Sequence, residues 1–368
     1  QTTDGRRQTT DGRRQRADGR GQTAGADFSS PRSCKECRCC LACSTHQTLN
    51  QATLLKLVII GHLAKDVHHL PPQNGAEEVH ESLGGIMYSL ATASFMLGSE
   101  GRVTPVFGVG EKDHESVIQT LESFGNVETK GVFKVKGPTN EVHFFPGADG
   151  AQVQCSKHLT PPIPFAKIKP HLDADGVLIN MASGFDLTLE TLDYIRMQVR
   201  DQGTPIHFDF HSLTLGIDQD QRRFRRPLTD WRRWCFMIHS IQMNEKEAAG
   251  LSSERYDEPT LINQLLPLMV QSLLITRGAR GATLIRQEHK KAFRHEIPAV
   301  LAAEVIDTTG CGDVFGAAWF IESIRTKDME KAASIASAFA SRKATLRGFE
   351  GLRASLQHFT EVPGGGPP

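Results

Sequence analysis

The sequence predicts an α/β fold: a mainly parallel sheet with helices on both faces, carrying a small β lid. Three observations lead there. From Leu54 onward, short apolar runs of strand length alternate with longer helical runs, the pattern of parallel strands joined by helical crossovers. Between Gly131 and Cys155 that alternation gives way to short β-patterned pieces broken by Gly-Pro and Pro-Gly-Ala-Asp-Gly turns, which reads as an inserted β unit. At 368 residues, the chain can bury the core of one large α/β domain, alone or with a small companion.

The elements follow in order. Leu57–Ile60, ending at Gly61, is a buried strand by its unbroken apolar run. Gly84-Gly85 introduces a small-residue helix reaching Leu97-Gly98; Val103–Val109 is the next strand and Glu115–Phe124 the next helix. After the β insert come a strand at Gly176–Asn180, a helix at Leu187–Arg200, a strand at Ile206–Phe210 and a strand at Phe236–His239. Asn244–Leu251 is a short helix, and Thr260–Val270 is helical with Pro267 kinking or ending it. Leu273–Thr276, Thr283–Arg286 and Lys291–Ile297 read as strands, and Gly312–Arg325, Met329–Thr345 and Leu352–His358 as closing helices. The arginines at 222, 223, 225, 226, 232 and 233 read as a solvated helix face beside two packed tryptophans, Trp231 and Trp234, in preference to the alternative of a nucleic-acid or phosphate patch.

The first fifty residues stand apart. The heptad QTTDGRR occurs at 1–7 and again at 8–14, in a stretch rich in Gly, Arg, Asp and Thr with almost no large apolar residues. Such a composition cannot build a core, so residues 1–50 read as a low-complexity, disordered tail and 51–368 as the working domain. Five of the eight cysteines fall between Cys34 and Cys43; thiolates so spaced can share a metal, but no second ligand pair follows at zinc-finger spacing.

Composition excludes several classes. Lys+Arg and Asp+Glu are balanced at 42 each, unlike the basic footprint of a nucleic-acid binder. No apolar run approaches the ~18 residues of a membrane span, and no secretory signal is present. The expectation is a cytoplasmic protein acting without nucleic acid or membrane.

The segment richest in chemistry is Asp307-Thr308-Thr309-Gly310-Cys311-Gly312-Asp313, followed by an apolar run to Ile321. Glycines on both sides of Cys311 let backbone approach a ligand closely. The first amides of a helix have no partner within it and favour anions. A carboxylate, Asp313, stands at the same spot. An anion site with a base beside it suits phosphoryl transfer to a hydroxyl, with amides holding the developing charge and Asp313 taking the proton. Capping is the competing role for an Asp at this position.

Three further groups are candidates. Asn244 and Glu247 share a helix face, where they would orient waters around Mg²⁺ or simply form a capping box. Thr276-Arg277-Gly278-Ala279-Arg280-Gly281 follows a strand, and its glycines permit close approach to phosphate or ribose, or make an ordinary hairpin turn. Asp66 and Gly84-Gly85 would grip substrate hydroxyls or serve as turn residues.

Together these pieces resemble the ribokinase-like (PfkB) family of carbohydrate and nucleoside kinases, from about Leu54 to Phe359. DTTGCGD with Val314-Phe315 resembles the family's DTxGAGDxF signature, Asn244-x-x-Glu247 its NxxE motif, and Thr276-x-Gly278-x-x-Gly281 its TxGxxG nucleotide motif. Gly61–Asp66 resembles its first strand and substrate-binding Asp, and Gly84-Gly85 to Leu97-Gly98 its amino-terminal glycine signature. The resemblance implies a Rossmann-like ribokinase fold with lid segments near 70–83 and 131–155, ATP as donor and Mg²⁺ as helper. It implies Asp313 as base, Gly310, Cys311 and Gly312 as the anion hole, and Asn244 with Glu247 organising metal through water. Thr276, Gly278 and Gly281 would line the nucleotide, and Asp66, Gly84, Gly85 and Ser89 a sugar-like substrate. A homodimer through the lid is an open expectation.

Departures from the pattern matter too. Cys311 stands where the family has Ala, and a thiol at a helix start is a candidate for a lowered pKa. Ser89 stands where many sugar kinases carry Asn, and Asp209-Phe210-His211-Ser212 lacks the Asn and Arg of ribose- and fructose-type members. No P-loop occurs. The alternatives are a nucleoside kinase of the same fold, or a non-catalytic kinase-like sensor of ligands. A dinucleotide-dependent oxidoreductase fits poorly, because Asp313 inside the glycine loop would repel pyrophosphate.

Overall fold

A computed structural model describes residues 54–73, 76–147, 152–289, 291–302 and 304–361. The repeat-bearing tail and the Cys34–Cys43 cluster lie outside the described residues. Among the described residues, no helix is long and apolar enough to cross a membrane.

The core is a nine-stranded sheet. Its strands are β1 (Leu55–Gly61), β4 (Gly101–Gly110), β5 (Val132–Val135), β8 (Gly176–Asn180), β9 (Ile206–Asp209), β12 (Ser240–Asn244), β13 (Ser272–Thr276), β14 (Ala282–Glu288) and β15 (Lys291–Ile297). They lie in the order β15-β14-β13-β12-β9-β8-β1-β4-β5. All pairs from β5 to β13 are parallel, and β14 and β15 extend the sheet antiparallel. The reason is legible in β1 and β8, whose apolar residues are buried without alternation, as a strand covered on both faces requires. Helices α1 (Ile86–Leu97), α8 (Cys311–Thr326) and α9 (Met329–Ala344) pack on one another. Trp319 of α8, almost wholly buried, fixes the α8–α9 turn by donating its indole N–H to the Met329 carbonyl at 3.1 Å.

A second sheet forms the lid: β2 (Leu63–Gln73), β3 (Ala76–Gly85), β6 (Asn140–Pro146) and β7 (Gln152–Lys157), in the order β3-β2-β6-β7. Ala64, Val142 and Phe144 make its own small apolar cluster, and the His68 ring stacks on Phe144 at 4.5 Å. The lid begins earlier than expected, because the chain passes from β1 through His62 directly into β2. Val132–Val135, expected in the lid, is instead the edge strand of the large sheet, paired in parallel with β4.

Three other segments differ from the sequence expectation. The strand placed at 236–239 starts later, at Ser240. Met237 has a positive φ of 58° and Phe236 is exposed, so 236–239 is the turn entering β12. Ser240 and Gln242 made that strand look polar, yet both are buried. The helix placed at 260–270 is α7 (Glu258–Leu265), closed by a single 3₁₀ turn over Pro267, which cannot donate the next helical hydrogen bond. The arginine-rich segment divides. Arg223–Arg225 form β11, an antiparallel hairpin with β10 (Leu215–Ile217), while Arg232 and Arg233 sit on the short helix α5 (Trp231–Cys235). Trp231 and Trp234 are buried as expected.

Candidate active site

The carboxyl ends of five neighbouring parallel strands present a row of polar residues, the place where open α/β sheets bind ligands. Gly61 of β1 sits opposite Asn180 of β8, Asn180 opposite Asp209 of β9, and Asp209 opposite Gln242 of β12. Two residues further on in β12, Asn244 sits opposite Thr276 of β13.

The amino terminus of α8 faces this row. Gly310 is its N-cap, with φ 80°, and a Cβ there would stand 2.5 Å from the Tyr88 ring. Only glycine meets both demands. The turn before it is braced by Asp307, whose Oδ1 accepts the Thr309 amide at 2.9 Å. The Cys311 amide donates to the Thr308 carbonyl at 3.2 Å, so it is engaged within the turn. Gly312 and Asp313, second and third in the helix, have amides without a carbonyl one turn back inside α8. Beneath the turn lies Lys343 of α9, fully buried. Its ammonium donates to the Asp307 carbonyl at 3.3 Å and the Leu346 carbonyl at 3.0 Å, 3.5 Å from Asp307 Oδ2.

Asp313 is held by two neighbours. Asn180 Nδ2 donates to its Oδ1 at 2.5 Å, and Ser89 Oγ donates to its carbonyl oxygen at 3.4 Å. Gln242 Nε2 donates both to the Gly312 carbonyl at 2.8 Å and to Asp209 Oδ2 at 3.1 Å, joining the helix start to the strand ends. Asn244 and Glu247 form the complete capping box of α6 (Glu245–Gly250). The Glu247 amide donates to Asn244 Oδ1 at 2.9 Å, and Glu247 accepts from the Asn244 amide and side chain at 2.8 and 2.6 Å.

The site concentrates carboxylates in a poorly solvated place. Burial, followed by the charges of Asp313 and Glu247, pushes the Asp209 carboxyl well above the usual carboxylate range. Burial also raises Glu247, against the opposing pull of His211, the Asn244 amide and Arg225. Burial pushes Asp66 up to about 7, although the Tyr88 hydroxyl donates to its Oδ2 at 3.2 Å and Arg223 attracts it. Cys311 departs from its expectation. Burial pushes its thiol up to about 11, so desolvation outweighs the helix start and the thiol is the opposite of activated.

Two adjoining cavities meet here. A polar one of about 610 Å³ is lined by Asp66, Gly85, Asn244, Glu247, Gly310 and Asp313, together with Tyr88, His211 and the β11 arginines. An apolar one of about 410 Å³ is lined by Gly278, Gly281, Cys311, Val300, Leu301 and Ala340. Thr276, Thr308 and Gly312 line both. Two candidate residues lie just behind the walls. Gly84 pairs with Ala64, and a Cβ on it would occupy the space of the Asp66 carboxylate, so it makes room for Asp66. Ser89 is buried between α1 and α8, tied to the Asp313 backbone.

Sequence reasoning passed over Asn180, Gln242, Tyr88 and Lys343, gave the β11 arginines a phosphate role only as the lesser alternative, and weighed Asp209 only as a departure from a family pattern. Asn180 carried a usable signal: it is the polar last residue of an otherwise apolar strand, where ligand-facing residues stand. Lys343 and Tyr88 carried none, since each looks like an ordinary helix residue until α1 and α9 are folded under the loop.

Residues 220–351 match the pfkB family carbohydrate kinase. Among curated proteins, the chain is 30% identical to a ribokinase of Arabidopsis thaliana over 184 residues, 48% of this chain and 44% of that one. It is 35% identical to a nucleoside kinase of Methanocaldococcus jannaschii over 72 residues, 20% and 22% of the respective chains. The chain thus spans less than half the length of these curated relatives. Among solved structures, a pyrophosphate-dependent kinase of the ribokinase family superposes with a TM-score of 0.65 at 18% identity, covering 82% of this chain and 99% of that one. The Arabidopsis thaliana ribokinase complexed with ribose and ATP superposes with a TM-score of 0.62 at 21% identity, covering 84% and 99%. The fold is the ribokinase fold.

Proposed function

We propose, from the pfkB family match over residues 220–351 and the likeness to a ribokinase, that this chain is a ribokinase-like kinase of the PfkB family, an ATP-dependent phosphotransferase acting on a hydroxyl of a sugar or nucleoside. The observation that carries the reading is the position of Gly312 and Asp313. Gly312 lines both cavities while the Asp313 carboxylate lines the polar one. A nucleotide base fits the apolar cavity, its phosphates cross the start of α8, and an acceptor hydroxyl in the polar cavity meets Asp313 and the phosphoryl group together.

The residues have definite tasks in this scheme. Asp313, oriented by Asn180, accepts the proton of the attacking hydroxyl. The Gly312 and Asp313 amides hold the charge on the transferred phosphoryl group. Tyr88 and Asp66 bind acceptor hydroxyls from the other side. The apolar cavity supports ATP over a bare pyrophosphate donor, because pyrophosphate has nothing to place there.

Magnesium fits the donor set. Glu247, Asp209 and Asp313 are crowded together, and burial, with a lesser contribution from their mutual repulsion, raises Asp209 and Glu247; a hard cation relieves such crowding. Among the described residues, no group of three or more His, Cys, Asp or Glu is arranged to hold a metal directly. Asn244 and Glu247 would therefore hold the ion through water, and when bound it neutralises donor phosphate charge.

The test is ADP release with Mg²⁺ and ATP over a panel of sugars, sugar acids and nucleosides. Asp313→Asn should cut kcat by about 10³-fold or more while nucleotide binding persists. Near-normal turnover by that variant would refute Asp313 as the base.

A further inference from the structure

The hairpin strand β11 and the residue before it bring Arg222, Arg223 and Arg225 to the wall of the polar cavity. The sequence reading preferred a solvated helix to a phosphate patch for these residues, and the proposed phosphoryl transfer assigns them no part. Their surroundings differ. Arg225 lies on the donor side: its Nη1 is 3.4 Å from Thr214 Oγ1 and 3.7 Å from Glu247 Oε1. Arg223 lies on the lid side, donating from Nε to Ser156 Oγ of β7 at 2.6 Å and from Nη2 to the Ala182 carbonyl at 3.4 Å. Arg222 is also on the lid side, bridged through its backbone to Cys155 of β7. Its backbone amide donates to Asp218 Oδ1 at 2.8 Å, but its guanidinium meets no carboxylate among the described residues, and Gln152 and Gln154 of the lid line the same cavity.

Among the described residues neither Arg222 nor Arg223 is in an ion pair at contact distance, although Asp66 and Asp186 attract the Arg223 guanidinium from further away. The hydrogen bonds of the Arg223 guanidinium go to neutral acceptors, and the Arg222 side chain is exposed. Arginine's planar donors match carboxylate and phosphate geometry, and such pairs are charge-assisted. The donor's phosphates cannot fill the lid side, since they belong beside Gly312, Asn244 and Thr276, on the side of Arg225. Resting on the kinase reading above, we propose that the acceptor is itself an anion: a sugar derivative bearing a carboxylate or phosphate remote from the hydroxyl to be phosphorylated, held by Arg222 and Arg223 beneath the lid. A neutral acceptor would gain only ordinary hydrogen bonds from these groups, whereas an anion gains charge-assisted ones, and their placement beside β7 couples anion binding to the position of the lid.

The experiment compares three probe classes at saturating ATP and Mg²⁺: sugar acids (gluconate, glucuronate), sugar phosphates (ribose 5-phosphate, fructose 6-phosphate) and neutral acceptors (ribose, myo-inositol, inosine). One anionic class should exceed the neutral class in kcat/KM by about 100-fold, the scale at which a site built for a polar group rejects an analogue lacking it; which class wins separates carboxylate from phosphate. Arg222→Ala should raise the KM for that acceptor by about 10-fold, the loss of one charge-assisted hydrogen bond, with a smaller change in the KM for ATP. Arg222→Lys should recover part of the loss. Preferred turnover of neutral acceptors overturns the anion proposal and leaves the kinase reading standing, as does an Arg222→Ala effect confined to ATP. Absence of ADP release with every acceptor counts against the kinase reading instead. Calorimetric titration of the Asp313→Asn protein with the same probes then decides the anion proposal, which falls if neutral probes bind as tightly as anionic ones.

Discussion

Lys343 and Asp307 form a buried ion pair beneath the glycine turn, with Nζ 3.5 Å from Oδ2 and no part of the lysine exposed. Although burial opposes ionisation, the Lys343 charge and the Thr309 amide hold the Asp307 carboxyl below the usual carboxylate range. The same ammonium donates to the Asp307 and Leu346 carbonyls and lies 5.3 Å from the centre of the Tyr88 ring, the ring that Gly310 rests against. One cation thus fixes both the turn and the aromatic floor below it.

Lys343→Met keeps most of the volume and removes the charge. It leaves Asp307 ionised and unpaired in a desolvated place, so a destabilisation of about 3–5 kcal/mol is expected. Asp307→Asn combined with Lys343→Met should cost less than the two single changes added together, because the double variant buries no lone charge. Urea unfolding of the four proteins measures this; additive effects would show that the pair is not coupled. In variants that remain folded, kcat should fall more than the acceptor KM rises, since the turn positions donor phosphate.

Asp66 makes stability depend on pH in a defined direction. Its folded pKa of about 7 lies above the ordinary 3.8, so folding favours the protonated form. The stability contribution is complete below about pH 4 and is lost as pH rises through 7. The groups acting on it are the Tyr88 hydroxyl, the Arg223 guanidinium and the Asp313 and Asp307 carboxylates. Asp66→Asn keeps the shape and abolishes the ionisation. Its stability relative to the parent should be nearly unchanged at pH 4 and higher by a few kcal/mol at pH 8, while acceptor binding weakens. Thermal unfolding of both proteins at pH values from 4 to 8 is the measurement, and parallel curves would refute the assignment.

How far this was legible in the sequence depends on how local each cause is. The parallel sheet showed itself because β1, β8 and β13 are unbroken apolar runs, and burial on both faces leaves no polar alternation to confuse them. The DTTGCGD loop was legible because glycine at 310 and 312 and the carboxylate at 313 are all dictated within seven residues. Strand β12 was misplaced because Ser240 and Gln242 are polar for a reason that lies elsewhere: Gln242 reaches both Asp209 and Gly312. The arginines of β11 were misread because a three-residue strand offers too short a period to identify, and its partner β10 is just as short. Lys343, thirty residues beyond Asp313, looked like any surface lysine, since its burial exists only once α9 is folded against α8.

Cys311 sits at the helix start, yet its burial and apolar surroundings decide its chemistry. With the thiol pushed up to about 11, on the order of one thiol in three thousand is ionised at pH 7.5. Iodoacetamide attacks the thiolate, so alkylation of Cys311 followed by peptide mass spectrometry should be far slower than that of a free model thiol. ATP should slow it further, because the thiol lines the cavity assigned to the base. The same geometry limits what the residue contributes to turnover. Its amide is engaged with the Thr308 carbonyl at 3.2 Å, and that bond survives any side-chain change. Cys311→Ala should therefore keep kcat within about threefold, as a substitution that leaves the transition-state contacts intact. Rapid labelling unaffected by ATP would place the thiol outside the nucleotide cavity, and a large loss in kcat for the alanine variant would show that the side chain, not the backbone, acts at this position.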